Sequence, residues 1–433
     1  MRYSSIVETV IVGAGPIGLE MGVALKKQGR EFAIIDEHQV GHTISWYAPG
    51  THFFSSPERI SIAGVPLITG DQGKATREEY LDYLMAVAWQ FDLPIHTGLR
   101  LVGIQAVSDA DHLASSGSAS APVVSSEPAP PTKDAGFSGI GWRLSLQRTF
   151  AAALDSQPIR EEIRCKFLIL ALGDMHAPRL LGIPGENQRN VSHYLKELRN
   201  YFRQKVVIVG GRNSAVEAAI RIYRMGGEVT LLYRGESLDA TSIKYWLYPE
   251  IASLIKNGVI RFLNRSEPVS IEGNHLRYRH LDPDSRSEKE LISHPPSQGN
   301  ELSNDPASGP ERGDGPAVLH GEGVLEADQF LLLTGYVPDS SLYNELGIQL
   351  EGAAQKPVLD QETMETNLKN VFIAGTATAG AQQRHTVFIE NSHEHVQKIK
   401  KSLERRSMAD TSRDDSIKEK SSLKDLYEEH PES

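Results

Sequence analysis

Two glycine-rich turns, each between an apolar run and a helix-like stretch, constrain this chain more than any other feature. The first is VIVGAGPIG at 10–18 and the second is VVIVGGRNSA at 206–215. A glycine directly after a buried strand permits a tight turn. A second glycine lets a phosphate approach the backbone, and a third lets the next helix pack against the strand. One such turn is common in ordinary βα units. Two in one chain, each opening a βαβ unit, predict two dinucleotide-binding folds, one for a flavin nucleotide and one for a nicotinamide nucleotide.

The first turn has every part. Val7 to Val12 reads as the strand, and Gly13, Gly15 and Gly18 fill the three glycine positions with Ala14, Pro16 and Ile17 between them. Leu19 to Lys27 reads as the helix, which Gly29 ends. Glu31 to Ile35 is the next strand, and Asp36 closes it at the spacing of a carboxylate that holds a ribose hydroxyl. This assigns the adenosine half of FAD to the N-terminal fold. In the second turn, Lys205 to Val209 is the strand, Val216 to Arg224 the helix and Glu228 to Leu232 the next strand. Gly210, Gly211, Arg212, Asn213, Ser214 and Ala215 form the expected pyrophosphate cradle. Arg212 stands at the middle glycine position and either faces the pyrophosphate or is a solvated loop residue. No acid closes the second strand; Tyr233 and Arg234 stand there instead. A carboxylate would repel a 2′-phosphate, whereas Arg234, with Arg212 and Lys244 as helpers, would bind one. NADPH is therefore expected over NADH.

The 433 residues suffice for two or three domains. A formal net charge of −11 argues against nucleic acid as the main partner. No apolar run is long enough for a membrane span, and no leader-sized segment precedes the first strand. Cys165 is the single cysteine, so an intrachain disulfide is impossible, and a cytoplasmic location is expected. Residues 108–136, 283–317 and 401–433 are rich in Ser, Pro, Gly or charge and are expected to be disordered insertions and a disordered tail.

Lys166 to Gly173 and Phe330 to Gly335 are both apolar strands that end in glycine. Elements of this kind often carry the chain between nucleotide domains. Cys165 begins the first of them and reads as a small buried residue. Asn370 to Gly380 is a strand running into a turn of small residues, and a helix-like stretch follows from Arg384 to Lys400. His385, His393 and His395 fall there without metal-ligand spacing, so no metal site is expected. The loop from Tyr47 to Phe54 carries aromatics, glycine and hydroxyls. It either covers a flavin ring or is a surface loop with buried aromatic anchors.

These residues resemble the low-molecular-weight thioredoxin-reductase-like flavoproteins, and within them the bacillithiol disulfide reductases of the YpdA type. The resembling stretches are 13–18, 52–58, 64–66, 191–194, 209–217, 233–235, 242–247 and 388–391. The resemblance implies FAD, NADPH, a doubly wound FAD domain interrupted by the NADPH domain, and often a homodimer. It implies that Gly375 and Thr376 line the flavin site. It also implies a redox cysteine at the position where this chain has Ile17.

The expected architecture is α/β with two Rossmann-like domains. The FAD domain comprises 1–188 and 336–400, and the NADPH domain, 189–335, is inserted into it. The expected activity is that of a NADPH-dependent FAD oxidoreductase. Its acceptor is a small-molecule disulfide or a small redox protein such as ferredoxin; quinone reduction and flavin monooxygenation are alternatives. A nucleotide-binding redox sensor is the non-enzymatic alternative. His385 is the one candidate for a catalytic acid.

Overall fold

The computed structural model describes residues 6–107, 141–149, 160–281, 321–382 and 386–407. The low-complexity segments 108–136 and 283–317 and the end of the chain from 408 lie outside the described residues. The chain divides into two compact units, Met1–Ala177 with Tyr336–Ser433, and Pro178–Gly335. The chain thus leaves the first unit after Ala177 and returns to it at Tyr336.

The first unit is built on an apolar strand, Ile6–Val12, flanked by parallel neighbours Phe32–Asp36 and Arg160–Leu170. Ile95–Thr97 extends the sheet in parallel beyond Phe32–Asp36. The long Arg160–Leu170 strand has two partners on its other edge. Its first half pairs antiparallel with Gly141–Arg148, which in turn pairs with Leu99–Val107. Its last three residues pair parallel with Val371–Ile373. Successive side chains of a strand point to opposite faces, so both faces of this sheet are apolar. Phe167 and Ile169 join one core with Leu19, Tyr80 and Leu84. Leu168 and Leu170 join the opposite core, which Trp142 and, from the start of the strand, Cys165 also enter.

The helix after the first turn spans Pro16–Lys27 and starts earlier than its apolar periodicity suggested. Pro16 at its first position has a preset backbone angle and lacks only an N–H that would have had no partner there. Near the C-terminus a helix covers 389–407, so residues 401–407 belong to it and not to a disordered tail. Arg406 anchors its end, donating two hydrogen bonds to the Glu365 carboxylate at 2.6 and 2.8 Å.

The second unit repeats the βαβ logic. Its parallel strands run in the order Arg261–Leu263, Glu228–Leu232, Lys205–Val209, Gln329–Leu332, Val191–Ser192. The helix Asn213–Arg224 follows the second glycine turn. A three-stranded antiparallel sheet, Ser266–Glu272, His275–His280 and Glu322–Glu326, adds to this unit. Among the described residues no helix is long and apolar enough to cross a membrane.

Helix Arg77–Gln90 packs Tyr80, Leu84 and Val87 into the first core and is started by a capping box. Thr76 Oγ1 accepts from the Glu79 N–H, and the Glu79 carboxylate accepts from the Thr76 N–H at 2.8 Å. Losing an N-cap hydroxyl costs roughly 0.5–2 kcal/mol. Thr76→Ala is expected to lower the urea midpoint accordingly and Thr76→Ser to retain most of it; an unchanged midpoint in Thr76→Ala would refute the cap.

Candidate functional site

The first turn sits where three parallel strands end. The Gly13 N–H donates to the Ile35 carbonyl at 2.8 Å. Gly13 has φ +111°, and a Cβ there would lie 2.4 Å from the Ala171 carbonyl oxygen. A Cβ on Gly18 would lie 1.9 Å from the Gly13 carbonyl oxygen. The fold itself requires both glycines. Gly15 is different. Its backbone is extended, and a Cβ there would meet nothing within 4 Å. Open space therefore lies beside the start of helix Pro16–Lys27. That helix has no acid in its first turn to compete for its positive end. Space and donors together fit a phosphate group.

Asp36 ties this region together. Its Oδ2 accepts from the Ala14 N–H and its Oδ1 from the His38 N–H, both at 2.7 Å. Each carboxylate oxygen keeps a second lone pair for a ligand hydroxyl. Beyond Asp36, the His38 and His42 rings stack at 3.9 Å, and Trp46 Nε1 donates to His42 Nε2 at 3.2 Å. Burial, reinforced by His38, lowers the His42 pKa, in keeping with a ring nitrogen that accepts. In the loop that follows, Tyr47 and Phe53 are half-buried anchors whose tilted rings lead inward to Tyr80, while Phe54 is exposed with the Lys74 ammonium 5.0 Å over its ring.

Distant segments meet the first turn. A Cβ on Gly375 would lie 3.4 Å from Ile17 Cβ, and one on Gly173 would lie 3.8 Å from Thr376 Oγ1. Gly375 opens a short 3-10 helix, Gly375–Ala379. Its N–H donates to Nδ1 of the buried His395 at 3.2 Å. Two residues earlier on the same helix, His393 sits on Glu20 of the Pro16–Lys27 helix, with Nδ1 2.6 Å from the carboxylate. Sequence pattern gave neither contact: Glu20 and His393 lie 373 residues apart, and Gly375 and His395, 20 apart, sit on different elements. Nor did it show that Asp36 bonds the Ala14 N–H. His385 lies outside the described residues.

The second turn has the same frame. Gly210 has φ +144°, and a Cβ there would lie 2.6 Å from the Leu333 carbonyl oxygen and 2.9 Å from Ala215 Cβ. Gly211 is required for another reason: a Cβ there would run into the Tyr233 ring at 2.4 Å. Gly235 faces the same ring. Sequence reading missed this wedge, although the two glycines on either side of the aromatic in space were its signal. Arg212 caps the helix with extended backbone and is exposed, as is Ser214. Asn213 Oδ1 accepts from the Lys244 N–H at 2.7 Å.

The two basic candidates separate. Lys244 pairs with Glu217 of the turn's own helix at 3.1 Å and is largely buried there. Its charge is already countered, unlike the free phosphate helper expected from sequence. Arg234 is exposed and makes no hydrogen bond or ion pair with the described residues. Cys165 is 1% exposed, and burial pushes its thiol pKa far up. It pairs with Val7 and Trp142 within the sheet and is no accessible thiolate.

Known proteins share this frame. The family model described as pyridine nucleotide-disulphide oxidoreductase matches residues 10–118 and 157–292. The chain is 28% identical over 388 residues to the bacilliredoxin reductase Bdr of Bacillus subtilis, covering 90% of this chain and 94% of that protein. The structure of the bacillithiol disulfide reductase Bdr (YpdA) from Bacillus cereus superposes with a TM-score of 0.70 at 25% identity, covering 93% and 99% of the two chains. The thioredoxin reductase of T. acidophilum shares the fold, with a TM-score of 0.58 at 17% identity over 94% of this chain and 100% of that one. This chain belongs to the pyridine nucleotide-disulphide oxidoreductase family and is an FAD-dependent oxidoreductase that uses NAD(P)H.

Proposed function

We propose that this protein is a NADPH-dependent FAD oxidoreductase that reduces a small-molecule disulfide without a protein thiol. The flavin, when bound, supplies the chemistry of accepting a hydride from the nicotinamide and passing two electrons on. The balance is NADPH + H⁺ + RSSR → NADP⁺ + 2 RSH. Gly13, Ala14, Gly15, Pro16, Ile17, Gly18 and Asp36 would hold the FAD diphosphate and ribose, with Gly375 and Thr376 along the rest of the cofactor. Gly210 to Ala215 would hold the NADPH pyrophosphate. The observation that carries the nucleotide choice is Arg234, exposed and without a hydrogen-bond or ion-pair partner among the described residues, where a carboxylate would select NADH. A bacillithiol disulfide is the substrate named for the Bdr structures similar to this chain, and it is the first acceptor to test.

The thiol-free route rests on two residues. Ile17 stands at the position where the resemblance implies a redox cysteine, and Cys165 is buried and held protonated. The same observation favours a second reading, an acceptor that never needs a thiol, such as ferredoxin or a quinone.

Three experiments test these readings. Gly15→Val fills open space and not a packed site, so the variant is expected to purify without FAD yet to match the urea midpoint of the flavin-free wild type. A yellow Gly15→Val protein would remove the phosphate from this turn. Arg234→Ala is expected to weaken NADPH by about ten- to a hundredfold, the loss of one charge-assisted contact, and to leave NADH nearly unchanged. Equal losses for both nucleotides would overturn the 2′-phosphate role. Finally, bacillithiol disulfide turnover is measured in the wild type and in Cys165→Ala. Equal turnover is expected; activity lost only in the variant would restore a thiol mechanism, and activity in neither would move the acceptor to ferredoxin or quinone.

A further inference from the structure

The motif NSHEH at 391–395 puts two histidines two residues apart on one helix, and the function above uses neither. They face different partners. His393 has an acceptor at each ring nitrogen: the Glu20 carboxylate at 2.6 Å on Nδ1 and the Arg59 carbonyl at 3.1 Å on Nε2. Only the charged ring can donate to both at once, so these partners favour the imidazolium. His395 is the opposite. Its Nδ1 accepts from the Gly375 N–H, so that nitrogen is bare and the ring is neutral. Glu20 belongs to the helix that opens at the first glycine turn, and Gly375 lies beside Ile17 of that same turn, where a Cβ on it would come within 3.4 Å of the Ile17 Cβ.

We propose that His393 and His395 form a clasp that sets flavin retention and holds only while one ring is charged and the other neutral. His393 fastens the helix of the phosphate turn, and His395 fastens the Gly375 turn. Both are positioning residues. The inference rests on the FAD site proposed above and goes further by assigning it a pH window.

The surroundings set the direction of each limb. Around His393 lie Glu20, Tyr80 and Tyr83 near that carboxylate, and Arg59, itself paired with Glu390 at 3.3 Å. The Glu20 hydrogen bond raises the His393 pKa above its ordinary 6.5. Its contribution is therefore complete below 6.5 and is lost as pH rises through the raised value. Around His395 lie Glu394, 4.0 Å from Nε2, and Lys398. Burial lowers its pKa below 6.5. Its contribution is complete above 6.5 and is lost as pH falls through the lowered value, when a proton on Nδ1 would face the Gly375 N–H.

The test is FAD release, read as recovered flavin fluorescence between about pH 5 and pH 9, the span over which shifted histidines titrate. The wild type should retain FAD best between the two limbs. His395→Asn places a non-titrating acceptor near the Nδ1 position and should abolish the acid limb alone. His393→Asn leaves a neutral donor toward Glu20 and should abolish the alkaline limb alone. His395→Leu strands the buried Gly375 N–H and should weaken FAD by roughly tenfold at every pH. Both limbs surviving in the Asn variants, or flat retention in the wild type, would overturn the clasp. A wild type that binds no FAD at any pH would instead overturn the proposed flavin site. The clasp would then stand or fall on the same two limbs in the pH dependence of Tm.

Discussion

Each unit of this protein depends on one close approach: a glycine turn tucked beneath the carbonyl that ends the neighbouring parallel strand. In the first unit Gly13 lies under the Ala171 carbonyl, and in the second Gly210 lies under the Leu333 carbonyl. No side chain fits in either gap. The contact fixes where the central strand stops and aims the following helix. In the first unit the helix is drawn so close that Gly18 meets the Gly13 carbonyl. In the second unit Ala215 takes that place, and its methyl group sets the spacing.

Once the turns are fixed, their rims differ in charge. The first is closed by Asp36, whose two oxygens are engaged by backbone N–H groups of Ala14 and His38. That carboxylate shapes the turn as well as offering lone pairs outward. The second is closed by Tyr233, whose ring fills the space that Gly211 and Gly235 leave, and by Arg234. The nearby Lys244 is neutralised by Glu217, whereas the Arg234 guanidinium at the strand end has no ion-pair partner among the described residues. A buried ion pair spends its field on its partner, whereas an unpaired exposed cation keeps it for an incoming anion.

The C-terminal helix is part of the first unit's frame. Its polar contacts run along its length, from His393 on Glu20 to Arg406 on Glu365. Its apolar side, with Val396, Ile399 and Leu403, joins the core that the Pro16–Lys27 helix also enters. The late segment of the chain therefore reaches the turn formed by the earliest one.

Local sequence determined the two βαβ units, their turns and the burial of Cys165, because each rests on spacing within a few residues: glycine after a strand, apolar alternation, a helix ended by glycine. The start of the Pro16–Lys27 helix was hidden because proline and small residues carry no apolar period. The reach of the last helix to residue 407 was hidden for a different reason. Its terminal turns are charged, and only Arg406 on Glu365 and the packing of Leu403 reveal that they are ordered against the core. Tertiary structure alone decided which basic residue is neutralised, since Lys244 meets Glu217 only after the fold brings the loop onto the helix. It alone also gave two histidines in one short motif opposite partners, a carboxylate for His393 and a backbone N–H for His395, and pKa shifts in opposite directions. Charge state follows the partners a ring meets in space, and chain order does not encode them.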